Sequence, residues 1–99
     1  MATDYTVTAS IWEHSGPASW HFLTLPPDLA DEIRALHSGD QRAFGSLPVR
    51  VTLGASSWDT SLFADTKAAS YLLPLKGEVR RREGVGDGDV VTLTLAVRT

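Results

Sequence analysis

Apolar and polar residues alternate from Tyr5 to His14, with Tyr5, Val7, Ala9 and Ile11 on one side and Thr6, Thr8 and Ser10 on the other. Successive side chains of a strand point to opposite faces, so this pattern predicts a half-buried β-strand. Ser15-Gly16-Pro17 is the turn that ends it, and Ser19 to Leu25 (SWHFLTL) reads as a second strand with Trp20, Phe22 and Thr24 on one face. So short a connection predicts a hairpin. Trp12 is out of phase with the apolar side of the first strand and is expected to face outward or to line a cleft.

The period then changes. After Pro26-Pro27, Leu29, Ile33 and Leu36 recur at helical spacing, Asp28 can cap, Asp31 and Glu32 sit in the first turn, and Gly39 follows the end. These signals predict a helix of about ten residues with one narrow apolar stripe, lying on the outside of the fold. From Leu47 the chain returns to β: Val49, Val51 and Leu53 alternate with Arg50 and Thr52, and Gly54-Ala55-Ser56 turns. Trp58 to Ala64 alternates again, Asp65-Thr66-Lys67 turns, and Ser70 to Leu75 is a largely apolar strand stopped near Pro74. Lys76 to Glu83 is too charged for a buried strand and has Val79 as its one apolar residue, which suits a short helix. Gly84, Gly86 and Gly88 with Asp87 and Asp89 make a flexible turn, its glycines supplying positive φ. Val90 to Val97 is the last strand, with Val91, Leu93, Leu95 and Val97 on one face.

Six or seven short strands with frequent turns favour a β-barrel, closed or split, over one domain spanning residues 1–99. A loose internal echo points to a duplicated half-barrel. Leu25-Pro26 precedes the helix containing Ile33-Arg34, and Leu73-Pro74 precedes the turn containing Val79-Arg80.

Composition narrows the chemistry. With 42% hydrophobic and 21% charged residues the chain is ordinary globular material. Its zero cysteines exclude disulfides, a thiolate nucleophile and Cys-ligated metal. The net charge of −3 weighs against nucleic acid, whose binding rests on neutralising phosphates. No run of eighteen apolar residues is present, so no helical membrane span is expected. The first residues, Met1 to Tyr5, lack the basic and apolar regions of a signal peptide, and the expected location is the cytoplasm.

Motif chemistry is sparse. Ser46, Ser56, Ser57 and Ser61 stand outside any Gly-x-Ser-x-Gly elbow. His14 and His21 could meet across the first hairpin, but with Glu13 they form no His-x-His or His-Glu-x-x-His, and rim histidines are the simpler reading. The Gly84–Asp89 loop lacks the Lys of a P-loop and the distal Glu of a calcium loop. Lys76, Arg80, Arg81 and Arg82 form the one basic cluster, with Lys76 and Arg80 on one helix face and Glu78 and Glu83 interspersed. A solvated face is the plain reading of that cluster, and a phosphate contact the sharper one. Convergence of Arg50, Ser61, Lys76 and Arg80 near Trp20 or Trp58 would make a small pocket for an anionic or polar ligand.

The stretches Arg42-Ala43-Phe44-Gly45-Ser46-Leu47-Pro48-Val49-Arg50-Val51-Thr52, Trp58-Asp59-Thr60-Ser61-Leu62-Phe63, Ser70 to Lys76, Val79-Arg80, Gly84 and Gly88-Asp89-Val90 together resemble the domain of unknown function 1905 family, over nearly the whole chain. Ala43 departs from the Gly expected before Phe44, which touches turn geometry more than chemistry. The resemblance implies a double-split β-barrel akin to the swapped-hairpin barrels of AbrB-type transcription factors. On this resemblance one chain is expected to carry both strand–helix–strand units and to be able to close the barrel alone. It carries no established activity. The resulting expectation is a mostly β, pseudo-duplicated barrel with one helix and a short second one. It would serve as a non-catalytic binding or accessory module for a small polar or anionic ligand or a protein partner, without cofactor or metal, as a monomer or weak dimer. An AbrB-like nucleic-acid-binding regulator and an enzyme without a recognisable motif are the alternatives.

Overall fold

The alternation of the first segment becomes β1 (Asp4–Glu13), with Tyr5, Val7 and Ile11 buried and Thr6, Thr8 and Ser10 exposed. The computed structural model describes residues 4–14, 20–37, 39 and 45–98; the turns expected at Ser15-Gly16-Pro17 and around Ala43-Phe44 lie outside these. The other elements are β2 (His21–Thr24), α1 (Pro27–His37), β3 (Leu47–Leu53), β4 (Ser56–Asp65), β5 (Ser70–Pro74), α2 (Gly77–Glu83) and β6 (Val90–Val97). The strands close an antiparallel barrel in the order β1-β2-β5-β4-β3-β6. Every strand thus has a neighbour on each side along at least part of its length.

The internal echo is a pseudo-two-fold axis. Exchanging β1 with β4, β2 with β5 and β3 with β6 reproduces the same circular strand order. The axis passes through Leu23 paired with Leu73 on one side of the barrel and Thr52 paired with Thr94 on the other. Backbone bonds repeat across it. The Leu25 amide donates to the Tyr71 carbonyl at 3.0 Å and the Leu75 amide to the His21 carbonyl at 2.9 Å. The Ala30 amide donates to Pro26 and the Arg80 amide to Lys76, opening the two helices in the same way. The structural register therefore matches Leu25-Pro26 with Leu75-Lys76, not with Leu73-Pro74 as the sequence echo has it. Pro74 is still in the strand, opposite Phe22, whereas Pro26 already stands before the helix.

Two details of α1 differ from expectation. Pro27 occupies the first helical position and Asp28 lies inside the first turn, so Asp28 is not the cap; proline is suited there because it has no N–H to lose and a preset φ. The buried stripe is Ala30, Ile33 and His37 with Leu29 packed beside it, while Leu36 is exposed. The buried turn of the helix is completed by a hydrogen bond of 3.1 Å between the Tyr5 hydroxyl and His37 Nε2, with the two rings edge to face. Burial, and secondarily the nearby Glu32 carboxylate, pushes the Tyr5 pKa above its ordinary value.

The shorter α2 docks through Val79 and through Glu83, whose carboxylate accepts the Ser56 hydroxyl at 2.6 Å over the tight β3–β4 turn. Gly54 in that turn has φ 58°, and a side chain there would run into the Glu83 carboxylate. The 84–89 loop is tied down. Gly84 ends α2 in the left-handed conformation, Asp89 Oδ2 accepts the Gly86 amide, and Asp87 Oδ1 accepts the Glu13 amide. The Gly88 amide and the Asp89 carbonyl extend the β1–β6 ladder to Ile11. Among the described helices none is long and apolar enough to cross a membrane.

Candidate binding site

The barrel's outer surface is polar over one exit of the pseudo-two-fold axis and aromatic over the other. Around Thr52 and Thr94 the outward positions are Thr6, Thr8, Thr92 and Ser57, joined by Thr8–Thr92 and Thr52–Ser57 hydroxyl contacts of 2.9 Å. Around Leu23 and Leu73 the outward positions are Phe22, Pro74, Thr24 and Leu72, flanked by Trp12 and Phe63 at the far sides of β2 and β5. Trp12 pairs with Phe22 just as Phe63 pairs with Leu72, so each half of the fold contributes one such pair.

These side chains wall a cleft of about 440 Å³ together with His14 and Trp20. A small-molecule site typically spans roughly 300–1,000 Å³. The Trp12 and Phe22 rings lie 5.1 Å apart at 38°, and the Trp20 and Phe22 rings are stacked within 10° at 6.2 Å. The Trp12 indole N–H donates to Thr24 Oγ1 at 2.9 Å. That bond uses the ring's polar edge and fixes the ring where it lines the cleft. Trp20 is 56% exposed and Phe63 44% exposed. Single exposed apolar residues are normal, but a contiguous group of them on one seam makes that seam a candidate binding surface.

Trp20 is also a wall of a second pocket of about 300 Å³, formed with His21, Pro74, Leu75, Lys76, Gly77 and Arg80 at the start of α2. Lys76 precedes the helix and Arg80 follows one turn later, and both residues line the same space. Arg80 Nε donates to the Leu75 carbonyl at 3.4 Å, which anchors its guanidinium. Gly77 leaves room for this group: a side chain there would meet Arg80 and Arg81 at 3.3 and 3.2 Å. No carboxylate is among the described residues lining either space.

The six residues singled out from sequence thus separate into three places. Trp20, Lys76 and Arg80 share one pocket. Arg50 lies on the outer face of β3, in an exposed 3.0 Å ion pair with Asp59, which Arg98 also approaches at 3.6 Å, and Ser61 lies opposite Pro48 on the same side. Trp58 shares the inward phase of Leu62, packs against the core, and has a buried indole N–H with no acceptor among the described residues. The basic cluster is divided as well, since Arg82 is bound to Glu78 at 2.6 Å and reaches Ser56. His21 stands opposite Glu13 while His14 lines the aromatic cleft, and no group of three metal-ligating side chains occurs among the described residues.

Phe22, Phe63 and Leu72 line the cleft but carry no motif that marks them as site residues in the sequence. The available signal was that SWHFLTL, SLFA and SYLLPL are apolar on both faces. That pattern fits a strand covered on both sides, yet here the outer side is open. A family model described as a domain of unknown function (DUF1905) matches residues 8–95, which takes in both pockets. No curated protein matches the chain.

Proposed function

The chain belongs to the DUF1905 family, and we propose that it is a non-catalytic binding module whose ligand carries a negative charge and enters the corner walled by Trp20, Lys76 and Arg80. The observation that supports this is the meeting of two cations in a pocket lined by no carboxylate among the described residues, in a chain whose net charge is −3. A cation pair kept clear of acids in an acidic protein concentrates positive potential at one spot. Trp20 beside them supplies a partly apolar wall, so a charged group is held where water access is reduced and the Coulomb attraction is stronger than in open solvent. The reading is non-catalytic because no hydroxyl or carboxylate side chain is among the described residues lining this corner.

An AbrB-like role on nucleic acid finds less support. Phosphate binding along a duplex needs several unpaired cations, and here Arg82 is held by Glu78 and Arg50 by Asp59.

The test is a thermal-shift series with acetate, inorganic phosphate and short DNA duplexes. A ligand that binds only the folded state at a hundred times its Kd stabilises by about 2.7 kcal/mol. A rise in Tm with the compact anions, lost in Lys76→Ala and Arg80→Ala and kept in Arg50→Ala, is expected. No rise, or a rise that survives both substitutions, refutes it. A rise with DNA alone that fades as salt increases favours the regulator instead.

A further inference from the structure

We infer that the aromatic cleft and the basic corner are two halves of one site, and that its ligand is a planar aromatic anion: a fused-ring body lying in the cleft and a carboxylate or similar group turned toward Lys76 and Arg80. The inference rests on the anion corner proposed above and names its ligand class.

Three observations carry it. The two spaces share a wall, since Trp20 lines both. Their chemistries are complementary rather than alike: ring faces and Leu72 line the first, with His14 the one polar side chain among its described walls, and two cations line the second. The walls of the first are preset for a flat occupant. Trp20 is stacked on Phe22 within 10° at 6.2 Å, and the bond from Trp12 to Thr24 holds the third ring at 38° to Phe22, so the orientations of all three rings are set before a ligand arrives. A flat ring gains by stacking on such surfaces, and an aliphatic chain does not gain in the same way. A neutral aromatic would leave the cations unused, and a compact anion would leave the rings exposed to water.

The site also has a built-in spectroscopic control. Trp12 and Trp20 stand at the cleft, whereas Trp58 faces inward with a buried N–H.

The experiment compares 2-naphthoate, acetate and 2-naphthalenemethanol on the intact chain, by thermal shift and by the indole N–H signals in 15N-correlated NMR. The expected result is that 2-naphthoate binds at least about tenfold more tightly than either of the others. The Trp12 and Trp20 signals move and the Trp58 signal stays. Phe63→Ala weakens 2-naphthoate by about fivefold or more and leaves the acetate response unchanged, while Lys76→Ala weakens both. The indole readout needs no variant, so it decides the matter even if Phe63→Ala does not fold. If acetate binds and 2-naphthoate binds no better, the inference falls and the anion corner stands. If 2-naphthalenemethanol equals 2-naphthoate and acetate is silent, both fall and the cleft is a charge-independent apolar surface. If no probe binds and the chain sediments as a dimer that Phe63→Asp dissociates, a second copy fills the cleft and the inference falls.

Discussion

Leu23 and Leu73 face each other at the point where the pseudo-two-fold axis crosses the β2–β5 seam, and both are fully buried. That seam joins the two halves of the barrel through the pairs Phe22–Pro74, Leu23–Leu73 and Thr24–Leu72. It is also the floor beneath the aromatic cleft. Replacing either leucine by alanine removes its transfer energy and leaves a cavity, together about 2–5 kcal/mol for a fully buried leucine. At about 3 kcal/mol, Tm in a domain of this size falls by roughly 12–24 °C. Because the two positions are equivalent across the axis, Leu23→Ala and Leu73→Ala are expected to cost the same within about 1 kcal/mol. Their side chains share one site, so the double variant should depart from additivity by about 0.5–3 kcal/mol. Against a total stability of about 5–15 kcal/mol, that variant sits near the limit of folding. Urea titration followed by circular dichroism and tryptophan fluorescence measures all three. A loss below about 1 kcal/mol at either position, or single losses differing by more than about 2 kcal/mol, refutes a closed, symmetric seam.

Tyr5→Phe removes the hydroxyl bonded to His37 and is expected to cost about 0.5–1.5 kcal/mol or somewhat more, because the His37 ring is buried. The raised pKa of Tyr5 also has a signed consequence: the unfolded chain ionises near the ordinary tyrosine value of about 10 while the folded chain holds its proton, so this contribution is present below that pH and is lost as pH rises above it. Denaturation titrated from pH 9 to 11 should show a smaller decline in Tyr5→Phe than in the native chain, and equal declines would contradict the assignment. Gly54→Ala is expected to lose more than about 1 kcal/mol, since the residue has φ 58° and its new methyl would displace Glu83 from Ser56. Adding Glu83→Ala should reverse part of that loss, and full recovery would mean that the backbone conformation costs nothing. Arg50→Ala should change stability by less than about 1 kcal/mol, as befits an exposed ion pair, and leave every ligand response as it was; a lost response would put Arg50 in the site.

The proposed site is separate from what holds the fold. The core is aliphatic with Tyr5 and Tyr71, filled from both halves, and Phe22, Phe63 and Leu72 are not among its buried residues. Solvent-facing aromatic groups are therefore not required for barrel closure, and their presence on one seam alone distinguishes that seam from the Thr52–Thr94 seam opposite.

The periodicity of the chain determined its elements because each strand is buried on one face, and burial writes a period of two into the sequence. β3 and β6 are the clearest cases: Val49, Val51 and Leu53, and Val91, Leu93, Leu95 and Val97, are the residues that prove buried. The same holds for α2, where Val79 among charges was enough to mark a short surface helix. What periodicity does not encode is which strands become neighbours. Trp12 and Phe63, far apart in sequence, meet on one cleft only because β2 and β5 pair at Leu23 and Leu73. Lys76 and Arg80 were legible as a helical pair, but that Trp20 stands beside them depends on the Leu75 amide binding the His21 carbonyl. Arg50 and Trp58 show the converse. Residue type alone made both plausible ligand contacts, and strand phase with cross-strand pairing sent one to an ion pair with Asp59 and the other to the core. Local sequence fixes which way a side chain points along its own strand; only long-range strand pairing decides what it points at.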